Sequence, residues 1–562
     1  MITRCEIQQM LKNRKLRSCL LLLITLQVSL NGFSQKKFDV IIYGGTAAGY
    51  SAAIQVARQG KTVAIIEPGG HIGGNVVEGL GGTDIDNHKE FQNSLAVKGI
   101  ALEFYSRVAK AYGRQQAFDK MIRNKEKNPA LWRMESSVAE RVIKDWLAES
   151  HVVLFCNHPL SDAKNSVVKR GSKIISLKTK AGQIFQGSIF IDASIEGDLL
   201  AAASVSYTVG REANSVYNET LNGIRAETTH AQFDVKVDPF KTPREPKSGL
   251  IATIQQGPFG TPGAADKNLQ AFCFRVCLTK QKDNQIAFYK PPGFNRNNYE
   301  IYLRYLRAGG KLYKPSANLP NGKTDLGAWH DLSHNLYGMN VAYPEGSDAR
   351  RKQILLEHET FTKGLFYFLA TDPQVGMLDQ NLQNEWAGWG YAKDEFTDNN
   401  GFPRMFYVRD ARRMVSDYVI TEHHVRKDNP VKVSDPVCIA YWPTDVHSVR
   451  RIVKDGYAYN EGFVFGGNYW RPLPVSYRSM IPKRKQCTNL LTPTCLSSSH
   501  IAYGAVRLEW TFMALGQAAA LAAVLAIDSK IAVQDVGYIQ LKHELLLHGA
   551  FVDPDHVGMP ED

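Results

Sequence analysis

The chain has 562 residues, 44% hydrophobic, 22% charged and 10% aromatic, the balance of a folded globular protein. Single cores stop growing near about 250–300 residues, so two or more domains are expected. The net charge is +12 without a long Lys/Arg run, which argues against nucleic-acid binding and for a mildly basic surface.

The N-terminal stretch "KNRKLRSCLLLLITLQVSLNGFSQ" puts a basic segment before an apolar run from Cys19 to Leu30. That run falls short of the about 20 residues a bilayer span needs. It reads as a secretory signal over residues 1–34, cleaved near Ser34–Gln35, with a retained membrane anchor as the lesser alternative. The mature protein is then exported, periplasmic or secreted, with no stable membrane span. Phe38–Tyr43 is an apolar run of strand length, and Thr46–Gln59 is helix-like with small residues on one face. Between them "YGGTAAG" presents Gly44, Gly45, Thr46, Ala47, Ala48 and Gly49. The dinucleotide fingerprint G-x-G-x-x-G would have glycine where Thr46 stands. A threonine there can cap the helix or donate to a phosphate oxygen. Thr62–Glu67 is a second strand and ends in an acid able to accept from ribose hydroxyls. A strand–helix–strand unit of this kind predicts a parallel sheet.

"EPGGHIGGNVVEGLGGTD" follows, Glu67–Asp84. So many glycines cost conformational entropy and suit a backbone laid against a flat ligand. His71 in this loop either lies near such a ligand, with covalent attachment as one route, or satisfies a loop carbonyl. Helical patterns cover Glu90–Tyr112 and Glu135–Glu149, His151–Phe155 reads as a strand, and Val167–Ser194 as several short strands. "FIDASIEGDLLAAAS" closes that block, with Ala193 and Ser194 at a strand end. From Asn222 to Tyr459 aromatics, Asn, Pro and Asp increase and no second nucleotide unit is visible. The expected organisation is a nucleotide-binding domain in two parts, 35–221 and 460–530, an inserted substrate-side region, 222–459, and a tail, 531–562. In the late block Ser497–Ser499, His500, Gly504, Arg507 and Glu509 precede a helix over Thr511–Ala526 that holds Gly516 and Gln517.

Six cysteines follow residue 34: Cys156, Cys273, Cys277, Cys438, Cys487 and Cys495. Export permits disulfides, and Cys487/Cys495 is the first pair to test. "CFRVC" has a three-residue gap, unlike zinc ribbons or ferredoxin clusters, and reads as nearby buried strand positions. Candidate catalytic groups are His447, two residues after Asp445, and His500. Arg409 and Arg413 in a helix-like stretch share a face at i, i+4 and either clamp a carboxylate or form a surface ion-pair helix. Tyr477 and Arg478 are of similar standing.

Taken together, the glycine turn, "HIGG" with "GLGGTD", "DASIEGDL", and "SHIAYGAVR" with "MALGQAA" resemble one family. It is the FAD-dependent oxidoreductases of the glutathione-reductase/fumarate-reductase superfamily, in the bacterial branch related to the flavin module of heterodisulfide reductase. "FRVCLT", "FTDNNGFP", "YVRDARRMV" and "YRSMIPK" extend the likeness over nearly the whole mature chain, and threonine at position 46 is the family's own habit. The resemblance implies an α/β Rossmann-type, glutathione-reductase-like FAD-binding domain with an inserted α+β substrate domain. It implies FAD held by Gly44, Gly45, Thr46, Ala47, Ala48 and Gly49 at the pyrophosphate and Glu67 at the adenosine ribose. His71, Gly73 and Gly74 would lie along the cofactor, Ala193 and Ser194 near the nucleotide, and Gly516 and Gln517 near the isoalloxazine. Some relatives carry a 4Fe-4S cluster, which the cysteine spacing here does not support. The expected activity is hydride transfer between a small substrate and flavin, with a carbohydrate-derived substrate suggested only by export and family company. The alternatives are a C=C reductase of the fumarate-reductase type and a non-catalytic flavin- or glycan-binding protein. With no second nucleotide unit, the electron acceptor is open between oxygen, a quinone and a small redox protein.

Overall fold

A computed structural model describes residues 35–161, 166–466, 470–550 and 557. The expected signal segment, 1–34, lies outside the described residues. Strand β1 (Gln35–Tyr43) leads through the glycine turn into helix α1 (Ala47–Arg58) and back into β2 (Val63–Ile66). Val40–Tyr43 of β1 and all of β2 are apolar and buried because both sheet faces are covered, as a parallel sheet requires. The sheet continues with β3 (Val153–Phe155), β4 (Val167–Arg170), β5 (Lys173–Lys178), β6 (Ile184–Asp192) and β7 (Leu490–Leu491). The order is β3-β2-β1-β6-β5-β4, with β7 also on β6. β3, β2, β1, β6 and β7 run parallel, while β5 and β4 form an antiparallel extension. In register, Tyr43 pairs with Ile66 and with Asp192. Three strands therefore end together, and the turns at Gly44, Glu67 and Ala193 leave the same edge. Ligands of open α/β sheets bind at that carboxyl edge.

Helix α2 (Glu509–Ser529) packs on α1. Among the described residues it alone is long and apolar enough to cross a membrane, but 89% of its apolar window is buried inside the protein. Apolar residues run round all its faces because it is a core helix. Gly516 makes the close approach: a Cβ there would collide with the Ala48 carbonyl. The helix expected over Glu90–Tyr112 is broken. Gly99, at φ +55, starts the helix Gly99–Ala111, and a short 3-10 turn, Asn93–Ala96, precedes it.

Among the described residues three main apolar cores form. One joins α1, α2 and one face of the sheet; another covers the opposite face with Tyr43, Phe185 and Phe190; the third fills the insertion with Phe272, Phe274, Tyr302, Phe366, Trp386 and Phe406. The boundary expected at 459/460 is not a physical one. Ile420, Val437, Ile439 and Trp442 already belong to the first core, and the strand Pro436–Ala440 pairs with Leu473–Ser476. The expected tail also carries structure, since helix Tyr538–Leu547 buries Leu541 and Leu545 in the same core.

Candidate active site

At the sheet edge the glycine turn is held from both sides. Thr46 donates its hydroxyl to the Ala193 carbonyl (2.7 Å) and accepts from the Gly49 N–H (3.4 Å), so it caps α1 and ties the turn to the end of β6. Gly44 is at φ +98, and a Cβ on it would stand 2.6 Å from the Ser194 nitrogen. A Cβ on Gly49 would collide with the Gly44 carbonyl. These positions need glycine for the turn itself. Glu67 accepts from the N–H groups of Gly45 and Gly69, both at 2.6 Å, and burial pushes its pKa up to about 7. Asp192 accepts from the Ser194 N–H and hydroxyl and from the Leu200 N–H, fixing the third turn; burial raises it to about 7 as well. Gly73, at φ +132, donates to the Gly45 carbonyl, which lays the 71–74 loop beside the turn. His71 lies neither against a loop carbonyl nor free: its ring nitrogens meet Glu140 (2.8 Å) and Asp398 (3.0 Å).

From this loop a line of buried polar groups runs inward. Asn75 donates to Glu509 (2.8 Å), the first residue of α2, and burial raises Glu509 to about 7. The Tyr50 and Ser51 hydroxyls, Asn75 Oδ1, Trp510 Nε1 and the Thr511 hydroxyl are buried without hydrogen-bond partners. Buried polar groups are normally satisfied, so such a group of donors and acceptors suits a polar ligand. The residues around it fit FAD: backbone donors at a glycine turn, a carboxylate at the end of β2, and polar atoms leading toward the substrate side. Gly516 and Gln517, expected near the ring, make close packing and hydrogen-bond contacts within the fold. Gln517 accepts from the Ile100 N–H and donates to Gln55, about 12 Å along the helix from Glu509.

Beyond Glu509 and Trp510 a small chamber opens, lined also by Val76, Tyr105, Thr83, Asp84, Tyr407 and Leu508. The last four also line a cleft of about 510 Å³. Trp329, Trp442, Phe463 and Phe465 give it aromatic walls, and Asn87, His88 and His230 add polar edges. At its base Arg275 pairs bidentately with Asp325 (2.6 Å twice). Arg507 donates to the Tyr407 hydroxyl (2.7 Å) and to Asp445 (3.0 Å). Asp84 lines both the chamber and the cleft. Its φ is +56, a conformation few non-glycine residues hold without a functional or local reason. The Asn87 amide donates to its carboxylate (2.9 Å), and burial lifts its pKa to about 6 against the pull of Arg275.

Of the six candidate catalytic residues, only His447 lines the cleft. Its Nε2 is 3.5 Å from Asp445, and burial, then Arg409, Arg507 and Arg275, hold its pKa well below the usual value. It is a neutral imidazole that resists protonation. The helix expected over Arg409 and Arg413 is absent. Arg409 lies in irregular chain behind the cleft wall and donates to the carbonyls of Ala271 and Ala328 and to Asn335. Arg413 is in a two-residue strand and pairs with buried Glu212 (2.7 Å). Both are fully buried, so neither the surface helix nor a shared substrate clamp holds. The His500 ring meets Asp410 (2.9 Å) in the same buried network, and its backbone N–H donates to Glu212. Tyr477 donates to the Val533 carbonyl and Arg478 pairs with Asp435, away from the cleft. Cys487 and Cys495 are not bonded to each other; the six cysteines among the described residues are free thiols. Sequence reasoning does not single out Arg275, Tyr407, Arg507 or Asp84 for the site, although each lies inside a motif block of the sequence.

Likeness to known proteins follows the same line. The pattern of the FAD dependent oxidoreductase family matches residues 39–545. No curated protein matches the chain. Solved structures are similar over part of the chain. L-proline dehydrogenase from P. horikoshii is 14% identical with a TM-score of 0.24, covering 32% of this chain and 59% of that one. L-amino acid deaminase from Proteus vulgaris is 15% identical with a TM-score of 0.22, covering 32% and 53%. Thioredoxin reductase from T. acidophilum is 18% identical with a TM-score of 0.16, covering 28% and 35%. The chain thus spans less than two thirds of each of these proteins, and likenesses of this size say nothing about its substrate. With the family pattern running over most of its length and a fitting nucleotide cradle at the sheet edge, the protein belongs to the FAD dependent oxidoreductase family.

Proposed function

We propose that this FAD-dependent oxidoreductase is exported and oxidises a C–H bond of a small hydroxylated molecule, a carbohydrate derivative foremost, held in the Arg275/Arg507 cleft. The observation that carries the proposal is that Thr83, Asp84, Tyr407 and Leu508 line both that cleft and the chamber at the start of α2. Aromatic walls beside fixed polar groups suit a sugar-like molecule. Bound FAD supplies the two-electron acceptor. Asp84, which lines both cleft and chamber, accepts the hydroxyl proton as the C–OH carbon loses its hydride and becomes a carbonyl. His447 donates or accepts a hydrogen bond as a neutral ring and orients the substrate. Arg275 and Arg507, each locked to a carboxylate, are rigid donors rather than mobile charges.

The test is anaerobic. Purified protein should be yellow, and one compound in a panel of sugars, uronates and amines should bleach it. A colourless protein that cannot be reconstituted with FAD rejects the cofactor assignment for this chain. If nothing bleaches it, but an enoate reoxidises the dye-reduced protein, the reaction is C=C reduction. Export is checked separately: intact mass of the protein from cells should place the mature N-terminus near Gln35.

A further inference from the structure

Three arginines line the cleft, and they differ in one respect. Arg275 and Arg507 are neutralised by Asp325 and Asp445. Arg133 makes no hydrogen bond or ion pair with the described residues, although it is partly buried and borders the same space. A guanidinium cannot shed its proton, so partial burial leaves a charge with reduced hydration and no counter-ion. Its backbone is held firmly. Trp132 and Met134 on either side are fully buried, and the Met134 N–H donates to the Gly81 carbonyl (3.2 Å). Gly81 must be glycine there, because a Cβ would collide with the Met134 carbonyl. The segment that carries Arg133 is thus packed on the glycine run that carries Asp84, and the two fixed segments deliver both side chains to one cleft. A guanidinium on a fixed backbone, unpaired among the described residues, is suited to bidentate capture of a carboxylate.

We infer that the substrate of this cleft bears a carboxylate beside its hydroxyl groups, as a sugar acid or other hydroxy acid does, and that Arg133 is the residue that anchors it. The inference rests on the oxidoreductase assignment of the cleft for the substrate's role, but binding can be read without catalysis. The acid is held by its carboxylate at Arg133 with hydroxyl groups toward Asp84. Asp325 and Asp445 do not compete, since each already serves its own arginine.

The experiment titrates full-length protein with glucuronate, galacturonate, gluconate and lactate, each beside a neutral counterpart (glucose, galactose, sorbitol and propanediol). Trp329 and Trp442 line the cleft, so intrinsic tryptophan fluorescence reports binding whether or not flavin is reduced. At least one acid should bind about ten-fold or more tightly than its neutral counterpart. Arg133→Gln should erase that preference while leaving the weak neutral binding, and Arg133→Lys should keep part of it. Equal binding of acids and neutral compounds, no saturable signal from any acid, or an undiminished preference in Arg133→Gln overturns the inference. Preferred binding of an acid that fails to bleach the flavin leaves the anchor standing and rejects the oxidation proposal instead.

Discussion

Burial acts in opposite directions on the two titratable groups nearest the proposed chemistry. It raises Asp84 to about 6 and, with three arginines, lowers His447. A general base must be unprotonated before it acts and must tolerate the proton afterwards. Asp84 meets both conditions near neutral pH, whereas an imidazolium at His447 would face Arg275, Arg409 and Arg507. Asp84→Asn should therefore slow anaerobic flavin bleaching by about 10²–10⁴-fold with flavin content unchanged. In the parent protein the bleaching rate should rise with pH through about 6 and then level, because the active form is the carboxylate. Stopped-flow bleaching between pH 5 and 8 reads both. His447→Gln keeps a neutral hydrogen-bonding side chain, so it should raise KM and lower kcat by less than about ten-fold. A loss as large as that of Asp84→Asn would move the base to His447.

The strand–turn–helix that begins the nucleotide cradle depends on two kinds of contact, and substitutions separate them. Thr46→Gly removes a hydroxyl bond to Ala193 but leaves a permitted N-cap, since glycine caps nearly as well as threonine. Flavin should be retained, with a small fall in Tm. Gly516→Val acts from the far end of the chain, because its Cγ and Cβ atoms would push α2 off the Ala48 carbonyl. Overpacking of this kind costs about 1–3 kcal/mol. That variant should lose both Tm and flavin retention. Absorbance at the flavin bands after gel filtration, beside a thermal melt, distinguishes the two outcomes.

Over the whole molecule, buried acids and buried histidines set a stability window. Burial raises Glu67, Glu78, Asp192 and Glu509 to about 7. Their folded pKa values exceed the unfolded ones, so their contribution is present in acid and is lost as pH rises through about 7. Burial lowers His334 to about 3 and His358 and His424 to about 4, so their contribution is present above the unfolded value and is lost as pH falls toward 4. The two sets oppose each other in the acid range, and only the carboxylates act above about 6.5. The flavin-free protein should melt highest near pH 6 and progressively lower at pH 7 and 8, measured by calorimetry at constant ionic strength. A Tm that climbs from pH 6 to 8 would show these acids ionised and paired in the folded protein.

The glycine turn, the strand before it, the helix after it and Glu67 were legible in the sequence, because a nucleotide cradle is local. A few consecutive residues set its backbone, and glycine appears wherever a Cβ would collide. Thr46 belongs to the same local logic, as cap and tether. The cleft was not legible in the same way. Asp84, Arg133, Arg275, Tyr407, His447 and Arg507 come from segments spread over more than 400 residues of the chain, and periodicity carries no information about such meetings. Arg409 and Arg413 show the cost of reading local spacing there. Four residues apart, they suggest a helix face, yet irregular chain buries one on carbonyls and the other on Glu212. Local sterics chose the residues of the cradle; packing of the insertion against the sheet edge decided which charges are neutralised inside the cleft and which, at Arg133, is left for a ligand.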